Sequence, residues 1–171
     1  FLGPEQTILD EAHYIENSRS ILNGEGDLRG EHPPLGKVFI LAGMKIFGDN
    51  PLGWRFFPIL FGVAGIVFFY LTCRRLNMGK WAAYLAVFFL AFENLTFMLS
   101  SIAMLDVFML PLIMAAFWFY LRHNYLPAGL FIALTALVKI TGVLILPAIL
   151  LHWMIFRRDG DWKFLGLLIV A

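Results

Sequence analysis

The hydrophobic pattern divides the chain into a polar N-terminal part and a long apolar remainder. Residues 1–53 mix charged and apolar positions, whereas residues 54–171 consist of uncharged runs separated by short charged turns. Residues 56–73 are 18 uncharged residues between Arg55 and Arg74. Because about 20 apolar residues span a bilayer, this run predicts a transmembrane helix.

Further apolar runs predict more membrane helices. Residues 81–92 begin a second crossing, which we expect to reach the far side between residues 93 and 104, and residues 107–121 predict a third. Residues 128–138 and 140–156 flank Lys139 and predict a helix pair, and another helix is expected near Trp162. The pattern therefore predicts an all-α integral membrane protein, a multi-span helix bundle.

The polar part is expected to begin with a short amphipathic helix. From Thr7, which can cap it, apolar residues recur near the helical period. Asp10 shares the other face with His13, Tyr14 and Asn17, which follow it by three, four and seven positions. Asp10 would then lie in the first turn, where the helix dipole favours an ionised carboxylate.

The rest of the polar part predicts a loop and an interfacial helix. Residues 23–27 are typical of a turn, and Pro33 and Pro34 favour an extended backbone before them. Residues 38–47 are too short to span and predict a helix lying along the membrane, which residues 48–51 end. We therefore divide the chain into a first extracytoplasmic loop with interfacial helices (1–53) and a transmembrane bundle (54–171).

Composition supports a membrane protein and suggests a fragment of a longer one. The chain is 60% hydrophobic and 15% charged, whereas soluble domains are about 25% charged. It begins with Phe1, and the apolar run 164–171 stops within its pattern, so we expect truncation at both ends. The net charge of +1 gives no indication of nucleic-acid binding, and the single Cys73 cannot form an internal disulfide.

The distribution of positive charge predicts the orientation. If residues 1–53 lie outside, the outer turns after Arg55 carry Lys139 as their one Lys or Arg, and the cytoplasmic turns carry seven. The positive-inside rule favours this arrangement. Asp106 and residues 10–37 then belong to the outer face. The seven cytoplasmic residues are Arg74, Arg75, Lys80, Arg122, Arg157, Arg158 and Lys163.

Ionisable residues at the edge of a membrane are candidates for function. Placing a charge there costs free energy, which a functional role would explain. Arg55 could instead be a snorkelling anchor, Asp106 an N-cap, and Glu93 a structural hydrogen-bonding residue. Lys139 lies within a long apolar interval and needs an anionic partner. We predict that it faces inward, towards Asp106 or the cavity under Asp10; the alternative is a lysine that reaches outward to lipid headgroups.

The polar motifs also have structural interpretations. The adjacent Asp10 and Glu11 could be solvated charges at a helix start, and residues 32–37 (HPPLGK) could form a rigid turn. No zinc-ligand spacing, P-loop or nucleophile elbow is present in the sequence. His13 and His32 have no matching second pair of ligands, so no metal site is predicted, although a divalent metal is left open.

Several segments together resemble one family. Residues 7–14 (TILDEAHY), 31–37 (EHPPLGK) and 47–55 (FGDNPLGWR) resemble the first outer loop of the protein O-mannosyltransferases, which belong to the GT-C class of glycosyltransferases. Residues 104–107 (MLDV) and 138–142 (VKITG) are similar to that family's downstream motifs. The chain departs from the pattern at Ser101, where the family usually has an arginine.

The resemblance implies a GT-C fold and a reaction. An inverting transfer moves a sugar, mannose in this family, from a polyprenyl-phosphate donor to a Ser or Thr hydroxyl of a protein. Asp10 matches the family's catalytic base, and Glu11 beside it is expected to orient the site. The resemblance also implies that Arg55 binds the donor phosphate.

Other residues are assigned by their charge or position. His32, Lys37 and Lys139 are physical candidates for holding the donor phosphate, because a leaving phosphate gains negative charge. Asp106 and Tyr14 are expected to support the site. The expected partners are the lipid-linked donor, a protein or lipid acceptor and the bilayer, with no nucleic acid and no cofactor; the oligomeric state is left open.

Two other functions are considered. A related GT-C enzyme could move aminoarabinose or another sugar onto a lipid, although that subfamily usually has Lys where this chain has His32. A transporter or non-enzymatic membrane subunit is the second; a transporter should show broken helices with polar groups at mid-membrane. We expect a multi-pass protein of a bacterial or archaeal plasma membrane with an extracytoplasmic site.

Overall fold

A computed structural model describes residues 7, 10–28 and 30–156. The described part of the chain is helical and contains no strand. Its elements, in order, are α1 (Glu11–Leu22), α2 (Leu35–Phe47), α3 (Pro51–Arg75), α4 (Lys80–Phe92), α5 (Asn94–Leu99), α6 (Leu105–Leu121), α7 (Tyr125–Val138), a 3₁₀-helix (Ile140–Leu144) and α8 (Ile145–Phe156).

α3 is the described helix that is long and apolar enough to cross a membrane. It has 25 residues and a mean hydropathy of 2.2 over its most apolar window. The predicted run 56–73 lies within it. The helix begins earlier than the run because Asn50 caps it, accepting hydrogen bonds from the N–H groups of Leu52 and Gly53, and because Pro51 suits the first helical position. The boundary drawn at 53/54 therefore falls inside its first turn.

The shorter apolar helices pack around α3. α6 lies between α3 and α7, and α2 packs across the start of α3. One buried cluster joins α1, α2, α3, α6 and the end of α7, with Phe39, Phe61 and Phe108 in mutual ring contact at centroid distances of 4.7 to 5.1 Å. A second cluster joins α6, α7 and α8. The first cluster supports the polar residues discussed below.

Two glycines allow the backbones of α2 and α3 to touch. A Cβ atom at Gly43 would collide with the carbonyl oxygen of Gly53, and one at Gly53 would collide with the carbonyl oxygen of Gly48. Side chains larger than hydrogen would therefore force the helices apart. This close approach fixes the start of α3 against α2.

The helices also differ from the predicted ones in α1, in α2 and in the second crossing. α1 begins at Glu11 and Thr7 does not cap it, because the Asp10 carbonyl accepts the first hydrogen bond, from the N–H of His13. α2 begins directly after Pro34, since proline is compatible with a helix start. The second crossing is broken at Glu93. The predicted helix near Trp162 lies outside the described residues.

Candidate active site

A fully buried ion pair lies where three segments meet. Glu11 is the first residue of α1, and Arg55 lies near the start of α3; both side chains are 0% exposed. Arg55 Nε donates to Glu11 Oε1 at 2.8 Å, and Arg55 Nη2 donates to Oε2 at 2.6 Å. The backbone N–H of Ala103, between α5 and α6, donates to Oε1 at 2.9 Å. The pair therefore ties α1, α3 and the α5–α6 connection together.

This geometry makes Arg55 and Glu11 a structural link between helices, and the orienting role expected for Glu11 stays a prediction. The snorkelling alternative for Arg55 is wrong, because its side chain is enclosed by protein. Its guanidinium fork is occupied by Glu11 in the bidentate geometry that favours Arg–carboxylate pairs. A contact between Arg55 and the donor phosphate stays a prediction, which this arrangement does not favour.

Asp10 opens into a polar cavity beside the buried pair. The cavity has a volume of about 210 Å³. It is lined by Asp10, His13, Tyr14, Glu31 and His32. The Asp10 side chain is exposed and makes no capping hydrogen bond to α1, so its carboxylate can accept a proton from a molecule in the cavity.

The cavity joins the two motifs of the polar part. The rings of Tyr14 on α1 and His32 on the following loop lie with their centroids 6.2 Å apart. His13 and Glu31 also line the cavity, although neither was assigned a site role from the sequence. The three-residue spacing of His13 from Asp10 was the available signal, whereas no spacing links Glu31 to α1.

Lys37 anchors the loop that carries Glu31 and His32. Its ammonium contacts both carboxylate oxygens of Asp27, at 2.8 and 3.0 Å, and its side chain is 1% exposed. Asn17 Nδ2 donates to the same carboxylate at 2.8 Å. This network fixes the loop against α1 and α2. The predicted phosphate contact of Lys37 is untested, but its ammonium lies in this network and not in the cavity lining.

Lys139 forms the predicted ion pair with Asp106. Lys139 Nζ lies 2.8 Å from Asp106 Oδ1, and the side chains are 28% and 31% exposed. The predicted inward partner is confirmed and the lipid-facing alternative is wrong. Met104 occupies the N-cap of α6, so the capping interpretation of Asp106 is also wrong. Lys139 has an extended backbone, which ends α7 before the 3₁₀-helix begins.

Glu93 has a structural role. Its carboxylate accepts hydrogen bonds from the N–H groups of Leu95 and Thr96, at 2.9 and 2.7 Å, and so caps α5. This confirms the structural interpretation of Glu93.

The candidate phosphate ligands separate into two groups. Arg55, Lys37 and Lys139 are each paired with a carboxylate, whereas His32 lines the Asp10 cavity. In the part of the chain that the structure describes, no group of three or more His, Cys, Asp or Glu residues is arranged to hold a metal ion. The side chains that line the Asp10 cavity are carboxylates, imidazoles and a phenol.

The fold is that of a GT-C membrane glycosyltransferase. A crystal structure of ArnT from Cupriavidus metallidurans in the apo state superposes with a TM-score of 0.81 at 20% sequence identity. The match covers 97% of this chain and 35% of that chain. It confirms the predicted all-α integral membrane bundle of GT-C type.

Within this class, the sequence defines the family. Residues 31–171 match the family model described as dolichyl-phosphate-mannose-protein mannosyltransferase, and the chain belongs to this family. A polyprenol-phosphate-mannose–protein mannosyltransferase of Mycolicibacterium smegmatis is 34% identical over 116 residues, which are 64% of this chain and 22% of that protein. One of the same name from Corynebacterium glutamicum is 30% identical over 129 residues, covering 68% of this chain and 25% of that protein. The chain thus spans about a quarter of the length of these relatives.

Proposed function

We propose that this chain is part of an inverting mannosyltransferase that moves mannose from a polyprenyl-phosphate donor to a Ser or Thr hydroxyl of a protein. The observation that carries the proposal is the separation of the adjacent carboxylates: Asp10 opens into a polar cavity, whereas Glu11 is enclosed and paired with Arg55. The names of the mycobacterial and corynebacterial relatives support the donor and the acceptor.

Asp10 acts as the general base. Its carboxylate accepts the proton of the acceptor hydroxyl while that oxygen attacks the anomeric carbon of the sugar. The bond from this carbon to the phosphate oxygen breaks, and the lipid phosphate leaves with the electron pair. The hydroxyl oxygen attacks the anomeric carbon from the side opposite the leaving phosphate, so the anomeric configuration is inverted. Phosphate is a competent leaving group, and the site needs no general acid.

His32 is the first candidate for the donor phosphate, because it lines the cavity beside Asp10. It could donate a hydrogen bond to a phosphate oxygen as that group gains charge. Arg55, Lys37 and Lys139 rank behind it because carboxylates already hold them. Tyr14 supports the cavity wall, and Asp106 holds Lys139.

We infer that the cavity lies on the extracytoplasmic face of a bacterial or archaeal plasma membrane. The distribution of Lys and Arg between the turns supports this side. The first loop would then present Asp10 to an acceptor outside the cytoplasm, while the hydrophobic helices hold the site at the bilayer surface.

A second candidate is transfer of another sugar, such as aminoarabinose, to a lipid. The similarity of the fold to ArnT leaves this reaction as an alternative outcome. The match to the mannosyltransferase family begins at residue 31 and therefore includes the loop residues that line the cavity. This similarity favours the first function.

A transfer assay with the full-length protein in proteoliposomes tests the proposal. We expect mannose from a polyprenyl-phosphate donor to appear on a Thr-containing peptide with inverted anomeric configuration. The control is the same peptide with Ala in place of Thr. Transfer of aminoarabinose to a lipid acceptor, with none of mannose to peptide, would contradict the proposal.

A further inference from the structure

A second contact joins α1 to the start of α3. Arg19, in the last turn of α1, pairs with Asp49 through Nε at 2.7 Å and Nη2 at 3.0 Å. Trp54 Nε1 donates to Asp49 Oδ1 at 2.6 Å, and the Arg19 guanidinium lies 5.5 Å from the centroid of the Trp54 ring. We call these three residues the clasp.

The clasp and the buried pair hold opposite ends of α1. Glu11 and Arg19 are eight residues apart on this helix, or about 12 Å along its axis at 1.5 Å per residue. Their contacts lead to Arg55 and Trp54, which are consecutive residues of α3. Tyr14 and Ile15 pack the middle of α1 into the first buried cluster, and the two attachments hold its two ends, so together they fix its direction.

The two attachments differ in environment. Both residues of the buried pair are 0% exposed, whereas Arg19 and Asp49 are each 46% exposed. A single exposed ion pair contributes little free energy, but the clasp adds a second Arg19–Asp49 hydrogen bond and the Trp54 contacts to the pair. The hydrogen bonds from Arg19 and Trp54 lower the pKa of Asp49 below its ordinary value, so the charged pair persists into more acidic solution.

Asp10 moves with α1. It directly precedes the helix, and its carbonyl oxygen accepts a hydrogen bond from the N–H of His13 at 3.0 Å. A change in the direction of α1 therefore changes the position of the Asp10 carboxylate in the cavity.

We propose that Arg19, Asp49 and Trp54 are positioning residues, which fix the direction of α1 and so place Asp10 against the acceptor hydroxyl. The inference rests on the proposed function of Asp10 as the base. The clasp lies outside the cavity, at the end of α1 opposite Asp10.

The test uses Arg19→Met and Asp49→Asn in the full-length protein. Because displacement of a catalytic group by about 1 Å can lower a rate up to about 100-fold, we expect kcat to fall roughly 10-fold, with KM for the donor within about 2-fold. The double variant should lose no more than either single one, because both remove the same contact. Arg19→Lys keeps one charged contact and should recover part of kcat.

Arg122→Met is the matched control. The Arg122 guanidinium lies 4.8 Å from the Trp118 ring centroid, so it reproduces the Arg–Trp contact away from α1. Hydrogen exchange of α1 amides gives a readout independent of catalysis: exchange should be faster in Arg19→Met and Asp49→Asn and unchanged in Arg122→Met.

Three outcomes would overturn the proposal. They are wild-type kcat in the clasp variants, an equal loss in Arg122→Met, or a loss of kcat without faster exchange in α1. If the wild-type protein itself transfers no sugar, the proposed function fails, and the exchange experiment still reports whether the clasp holds α1. Should Arg19→Met fail to fold, Arg19→Lys and Asp49→Asn carry the same comparison.

Discussion

Asp10 and Glu11 are neighbours with opposite environments. Consecutive residues of an α-helix point about 100° apart, because a turn contains 3.6 residues. At the start of α1 this rotation turns Glu11 into the protein and leaves Asp10 exposed in the cavity. One carboxylate is therefore available for proton transfer and the other for holding the helix.

This division predicts different effects for substitutions at the two positions. Glu11→Gln and Arg55→Met each leave a buried charge without its partner, which typically costs about 3–5 kcal/mol. We expect the free energy of unfolding of the full-length protein in detergent to fall by about that amount. Asp10→Asn, at an exposed position, should change it by less than about 0.5 kcal/mol.

Arg74→Met is the control for loss of an arginine, because Arg74 is exposed and donates only to the carbonyl of Met78 among its described contacts. If Glu11→Gln unfolds with the same free energy as the wild-type protein, the buried pair does not hold α1 in place.

At this scale the sequence predicted one of the ion pairs described above and missed three, including the pair between Arg19 and Asp49. Lys139 lies in an apolar interval, and its need for an anion indicated Asp106. The pairing of Glu11 with Arg55 spans 44 positions, and no local pattern connects them. Likewise, Lys37 looked available for a phosphate because its partner Asp27 lies in an irregular loop.

At the scale of elements, runs bounded by charges predicted the apolar helices, of which α3 is long enough to cross a membrane. Arg55 and Arg74 enclose the run that forms most of α3, and the break at Lys139 separates α7 from the following helices. These signals are strong because charges are costly in apolar surroundings.

The ends of the polar helices were predicted less well. Periodicity near Thr7 could not show that the first helical hydrogen bond is accepted by Asp10. The start of α2 depends on Pro34, which permits a helix after it while disfavouring one before it. Helix ends depend on such single contacts, whereas the interior of a helix depends on many residues.

For the whole molecule, the orientation in the membrane decides which substrates can reach Asp10. The exposed positions Glu25, in the loop after α1, and Gly79, before α4, lie on opposite sides in the proposed topology. A side chain at Gly79 would meet no heavy atom within 4 Å, so cysteine fits there.

We therefore predict opposite labelling of Glu25→Cys and Gly79→Cys, each in a background in which Cys73 and any other native cysteines are replaced. An impermeant thiol reagent added to intact cells should label the first variant, and the second only after permeabilisation. Labelling of Gly79→Cys in intact cells would contradict the proposed orientation. It would mean that the cavity faces the cytoplasm.

The central claim is that the Asp10 carboxylate accepts the acceptor proton while the surrounding structure only positions it. The most direct measurement is the single-turnover rate of mannosyl transfer by full-length Asp10→Asn at saturating donor. Glu16→Gln is the control, since Glu16 is an exposed carboxylate of the same helix outside the cavity lining. We expect Asp10→Asn to lose about 10²- to 10⁴-fold in rate with donor binding kept, and Glu16→Gln to remain near wild type. A rate for Asp10→Asn within a few-fold of the wild-type rate would contradict the account.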